Sequence, residues 1–331
     1  MKQPLRPMNL GEILDRTLQI YRSRFLAFAA IAAITVIAIE LFRSVDRYLL
    51  HVSSLYRPSN KGETLVWNFI VGLGFYHLSC LIAGLVEPSI VKLASGSFLD
   101  EDCTIVSSFR FAVNRWRSYL WIAILKVAVI LVLPEIVFMI LAISLAIAAQ
   151  ATGLFSSGTK WALPLLSVSV VLVAGALFLW LGTCLSLALP TAALESRAGL
   201  KSLHRSWDIT KGTRARIGFI WSTLFVSLWV LAWASEFLLG QLMFFTGRVL
   251  HLADAMRHLY QPAVFVLVTA IYIILGPIYP IAITLFYYDQ RIRREGYDVE
   301  RMMESAGLNQ TSLPQPAEGP LPQSHPEAAE T

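Results

Sequence analysis

Charge is scarce in this chain: Asp, Glu, Lys and Arg make up 15% of its 331 residues, against 56% hydrophobic ones, and mean hydropathy is +0.61. That balance excludes an ordinary soluble domain. Cysteine is nearly absent as well. Cys80, Cys103 and Cys184 stand too far apart for a disulfide framework or a zinc site, and two of them fall inside apolar runs. The sequence also lacks a phosphate-binding glycine loop, a Gly-x-Ser-x-Gly elbow, a His-Glu-x-x-His helix and a dinucleotide fingerprint. Nothing here gives positive reason to assign an enzyme, so catalytic residues, cofactor and metal are left unassigned. His251, Asp254 and His258 recur at helical spacing, but that is the pattern of a polar helix face.

What the chain does have is long hydrophobic runs. Six are near the length that spans a bilayer: Phe25 to Phe42, Leu65 to Val86, Tyr119 to Ala148, Trp161 to Leu189, Gly218 to Phe245 and Val264 to Tyr287. The fold class expected is an all-α integral membrane protein with six transmembrane helices. The first run is expected to stay as a span, because a long polar stretch precedes it, Glu40 interrupts it and no small-residue cleavage site follows. Pro134 within the long third run predicts a tilt or kink.

A short amphipathic helix precedes the first, third and fifth runs. In the first, Leu10, Ile13, Leu14, Thr17, Leu18 and Tyr21 share one face, opened by a capping box at Asn9 and Glu12 with Met8 and Ile13 as a staple. The second carries Ile105, Phe109, Ala112, Val113 and Trp116, the third Leu200, Leu203 and Trp207. Arg16, Arg110 and Arg205 lie 94 and 95 residues apart (110 − 16 and 205 − 110). Pro88, Pro190 and Pro280 mark the other run of each pair at a looser spacing. Three repeats of interfacial helix plus helical hairpin are therefore expected, over about 9–86, 105–189 and 200–287, within a membrane domain of residues 1–300. Residues 301–331, rich in Pro, Gln and Glu, are expected to be a disordered tail. The first loop is expected to hold a short surface helix, and the loop 246–261 reads as amphipathic.

Net charge is +5, and its distribution explains it. Of the 27 Lys and Arg, nineteen fall in the segments 1–24, 87–118, 190–217 and after Asp289. The positive-inside rule then places both termini in the cytoplasm, so the charge reports topology and no nucleic-acid partner is expected. Arg16, Arg110, Arg117, Lys201, Arg205, Arg291, Arg293 and Arg294 form a basic collar, a candidate contact for membrane lipids with anionic headgroups or for an acidic protein partner. Glu40, His77, Lys126, Glu135 and Glu236 are the candidate intramembrane polar residues. The three acids approach the outer boundary, where solvation or pairing with Arg is the simpler expectation than a shared vestibule. Lys126 is expected to snorkel to the inner boundary, and His77 to be a packed histidine.

Three stretches, MNLGEILDRTLQIYRSRFL, GLKSLHRSWDITKG and LFYYDQRIRREGYDVE, together resemble the glycerophosphoryl diester phosphodiesterase membrane domain family and its stand-alone bacterial relatives, over roughly residues 8 to 300. The resemblance implies a multi-pass protein of a bacterial cytoplasmic membrane. The family's catalytic barrel has no counterpart here: the only His-Arg pair, His204-Arg205, sits in an amphipathic helix. The function expected is a non-enzymatic membrane scaffold or lipid-handling module, with a transporter of a small or amphiphilic solute as the alternative.

Overall fold

A computed structural model describes residues 6–56, 61–151, 162–195 and 199–305, and among these there is no β-strand. Helices α1 (Leu10–Ser23), α2 (Phe25–Tyr56) and α3 (Lys61–Phe98) form the first unit. The second comprises α4 (Ile105–Asn114), α5 (Trp116–Val127), a π-helical turn (Ala128–Val132), α6 (Leu133–Ala151), α7 (Ala162–Cys184) and α8 (Ala188–Leu194). The third is α9 (Leu200–Thr210), α10 (Arg214–Val249), α11 (Ala253–Leu275) and α12 (Ile278–Glu295), followed by α13 (Tyr297–Ser305). Six stretches are long and apolar enough to cross a membrane, and the chain is an all-α multi-pass membrane protein. The short helices α1, α4 and α9 begin 95 residues apart both times (105 − 10 and 200 − 105).

Local chemistry sets the helix boundaries. Asn9 Oδ1 accepts from the Glu12 N–H and Glu12 Oε2 accepts from the Asn9 N–H, both at 2.8 Å, so two otherwise orphaned donors are satisfied at the start of α1. Met8 and Ile13 are both buried beside this cap. Thr104 and Ser107 repeat the device at α4. Gly296, at φ 64°, ends α12 in the left-handed region that a side chain would resist. Pro134 has no N–H for the Ile130 carbonyl and its ring crowds that oxygen, which accounts for the π turn directly before it.

The units pack in a ring. The second helix of each unit lies against the first long helix of the next: α3 on α5, α7 on α10, and α11 back on α2. Each short helix docks on the post-proline segment of the unit before it, α4 on α3, α9 on α8 and α1 on α12. Those post-proline segments meet at one end of the bundle and carry its core. From Ile281 to Gln290 every residue is buried, and Ser89 to Ser95 and Leu187 to Ala193 largely are. Each large apolar side chain so buried contributes about 1.5–3 kcal/mol.

Breaks in α7–α8 and α11–α12 free backbone carbonyls, and the short helices satisfy them. Ser206 Oγ (2.9 Å) and Thr210 Oγ1 (3.4 Å) donate to the Cys184 carbonyl at the end of α7, and the Tyr21 hydroxyl donates to the Ile274 carbonyl near the end of α11. Consequently α9 buries Ser202, Ser206 and Thr210 as well as Leu203, while Leu200 is exposed. The second short helix also departs from expectation: Ile105, Val113 and Trp116 are exposed, and Ser108 and Ala112 make its buried side.

Several boundaries are corrected. Helix α2 continues to Tyr56 through what was expected to be a loop with a separate surface helix. Most of the loop 246–261 belongs to α10 and α11, joined by a tight turn at Leu250–Leu252. Residues 301–305, assigned to a disordered tail, complete α13; the rest of that tail lies outside the described residues.

Candidate functional site

The basic collar is largely an internal network. Asp289 is fully buried, and it accepts from the Met8 N–H (2.8 Å), from Arg293 Nε at both oxygens (3.0 Å) and from Gln290 Nε2 (3.1 Å), with Arg216 at 3.6 Å. Arg205 Nε bonds both oxygens of Glu195 at 3.1 Å, its guanidinium also bonds Glu295, and Tyr287 donates to the same Glu195 carboxylate. Arg291 bonds Glu295 and Glu300 and lies over the Tyr297 ring. Arg294 donates to the Asp208 and Lys211 carbonyls. Four of the eight collar cations thus join α1, α9, α12 and α13 to one another. Arg16 reaches only Gln19, Arg117 lies over Trp116, and Arg110 and Lys201 are exposed, which leaves these four on the rim.

Above the collar, a cavity of about 550 Å³ opens between α3, α5, the π turn, α7, α10 and the α11–α12 break. Its walls are mostly apolar, among them Ala83, Val127, Ile130, Phe178, Trp221, Leu228 and Ile278. Phe225 and Leu231 line it while remaining about half exposed, so its mouth faces the lipid side of the bundle. One place in it is charged. Lys126 Nζ stands 3.8 Å from Glu87 Oε2, with side chains only 18% and 15% exposed. Glu87 Oε1 is buried and has no hydrogen-bond partner. Tyr279 lines the same cavity.

Lys126, expected to snorkel, turns its ammonium toward Glu87 on α3. It lies ten residues along the chain from Trp116, and Glu87 eleven from Phe98, each inside a stretch long and apolar enough to cross a membrane. A charge held centrally in such a span costs about 2.5–3.5 kcal/mol on insertion scales. An ion pair at 3.8 Å with one bare carboxylate oxygen offsets such a cost only in part. Gly84 allows the approach of the two helices, since a Cβ there would sit 2.8 Å from that of Ala123.

Of the other intramembrane candidates, His77 and Glu135 meet across α3 and α6. His77 Nε2 is 3.1 Å from Glu135 Oε2, off the axis of a hydrogen bond, while Nδ1 contacts the Leu73 carbonyl at 2.7 Å. They border a smaller, almost wholly apolar cleft with Val132, Ile136 and Met139. Glu40 is buried and Glu236 half-buried. The two cavities described take in only one of the three acids, Glu135, so no shared vestibule forms there. Sequence reading missed Glu87. Its signal was the Glu-Pro step at 87–88, in a segment taken for the membrane boundary. Among the described residues no group of three or more His, Cys, Asp or Glu is placed to hold a metal. No protein-family model matches the chain, and no curated protein matches it.

Proposed function

We propose that this chain is a non-enzymatic membrane module that takes up an amphiphile from the bilayer, with its chain against the apolar walls of the large cavity and its polar group at Glu87 and Lys126. The observation that supports this most directly is the combination of a lipid-facing mouth, apolar walls and one incompletely satisfied charge pair. Such a cavity offers shape and a single polar anchor, which is what lateral capture of an amphiphile needs. We further propose that the collar lies in the cytoplasm of a bacterial cell, as its excess of Lys and Arg favours. There the rim residues Arg16, Arg110, Arg117 and Lys201 attract anionic headgroups by about 1 kcal/mol each. A His204→Cys reporter on an otherwise cysteine-free chain stays unlabelled by an impermeant thiol reagent outside the cell if that orientation is right.

The carrier reading shares this cavity. The burial of the pair and the neighbouring π turn, a feature common at functional hinges, favour keeping it as the second reading. The deciding experiment reconstitutes the protein in nanodiscs with a photoactivatable, clickable acyl lipid. The cavity reading predicts crosslinks on α3, α5 and α10 that fall several-fold when Ala83→Phe and Ser227→Phe fill the cavity. Unchanged labelling in a folded filled variant would refute it. Flux of the lipid between leaflets, abolished by the same variant, would show the carrier form.

A further inference from the structure

Resting on the amphiphile reading, we infer that the polar end of the cavity selects a head group of zero net charge that carries both an ammonium and an acidic group, a zwitterion of the phosphoethanolamine type. Glu87 and Lys126 contribute one charge of each sign, and no other Asp, Glu, Lys or Arg lines the cavity. The two charges are underused. Lys126 has three N–H donors, its nearest acid stands at 3.8 Å, and Glu87 Oε1 has no partner at all. A zwitterion laid antiparallel to the pair places its ammonium on the bare Glu87 oxygen and its phosphate on Lys126. Four charges then alternate in sign, and each gains a charge-assisted hydrogen bond.

Other head groups fit less well for a definable reason. An anionic head engages Lys126 but draws it from Glu87, leaving a carboxylate uncompensated in a low-dielectric site, and a cationic head does the converse to Lys126. A glycerol-type head has hydroxyls to offer but no charge, so it gains only ordinary hydrogen bonds. If Glu87 and Lys126 are instead merely a clamp between α3 and α5, head-group charge makes no difference to occupancy. Apolar walls favour a chain-bearing zwitterion, although a free zwitterionic solute presents the same chemistry to the pair.

The test uses three photoclickable probes with identical chains in nanodiscs: one with a phosphoethanolamine head, one with an anionic phosphoglycerol head and one diacylglycerol without charge. Crosslinks are read on cavity peptides. In the native protein the phosphoethanolamine probe should exceed both others by about tenfold, equivalent to ~1.4 kcal/mol. Glu87→Gln should move the preference to the anionic probe and Lys126→Gln should abolish the zwitterion preference, while the swap Glu87→Lys with Lys126→Glu, which keeps the pair neutral, should retain it. Equal labelling by all three probes in the native protein, lost on filling the cavity, would leave amphiphile capture standing and overturn the head-group inference. No cavity labelling by any probe would overturn both. Competition by free glycerophosphoethanolamine, a diester of zero net charge, identifies a solute as the source of the zwitterion, and failure to compete identifies a lipid; equal competition by free phosphate contradicts the zwitterion.

Discussion

The two ends of the bundle are built by opposite rules. At the collar end, buried polar groups are numerous and mostly satisfied: Asp289, Gln290, Ser202, Ser206 and Thr210 are all essentially inaccessible and all hydrogen-bonded. Toward the other end large apolar side chains such as Phe69, Ile147, Val171 and Phe245 are exposed, and polar groups are few. The contrast teaches where order comes from in a protein whose surroundings are apolar. Lipid gives little hydrophobic drive for helices to associate, so the units are tied together at the end where backbone breaks create hydrogen-bonding needs that neighbouring units meet.

Breaking the collar should therefore cost far more than any comparable change at the other end. Asp289→Asn leaves Arg293 and Arg216 without their buried counter-charge and should destabilise by about 3–5 kcal/mol, seen as a large fall in melting temperature in detergent. Glu236→Gln, far from the collar on α10, should leave the melt where it was. A smaller loss, about 1–3 kcal/mol, is expected for Ser206→Ala with Thr210→Val, because the Cys184 carbonyl then loses both side-chain donors. Chain melting followed by tryptophan fluorescence can rank the two.

The least of these effects is one of pH. The Asn9 backbone N–H, with Arg6 beside it, holds the Glu12 carboxyl below its ordinary value. A group whose folded pKa is depressed stabilises the fold above its unfolded pKa and loses that contribution as pH falls through the folded one. Stability should accordingly drop slightly below the usual carboxylate range, and Glu12→Gln should flatten that part of the profile. A Gln variant with the same acid dependence would assign it to other groups.

Features written in local chemistry were legible in the sequence. The cap at Asn9 and Glu12, the disturbed helix before Pro134, seen as a π-helical turn, the six apolar runs and the 95-residue period all depend on residues close in the chain or on simple counts. The fate of Arg205, Arg293 and Arg294 was not legible. Arg293 bonds the Met8 carbonyl and Arg205 bonds Glu295, partners far away in sequence, so charges read as candidate lipid contacts also serve as structural ties. The partner of Lys126 was hidden for the same reason: Glu87 lies on another helix, and position along one helix says nothing of what faces it. Loop segments rich in helix-forming residues, such as Asp254 to Tyr260, simply extended the neighbouring helix, which runs on through Pro262.

The central claim is that the cavity is a binding site and not a packing defect. A high-resolution structure determined in lipid nanodiscs addresses it most directly. The account predicts elongated density running from the mouth at Phe225 and Leu231 inward, with its polar end within about 3.5 Å of both Glu87 and Lys126. A cavity without ligand density, with α3 and α5 drawn together until Lys126 hydrogen-bonds Glu87 directly, would contradict it.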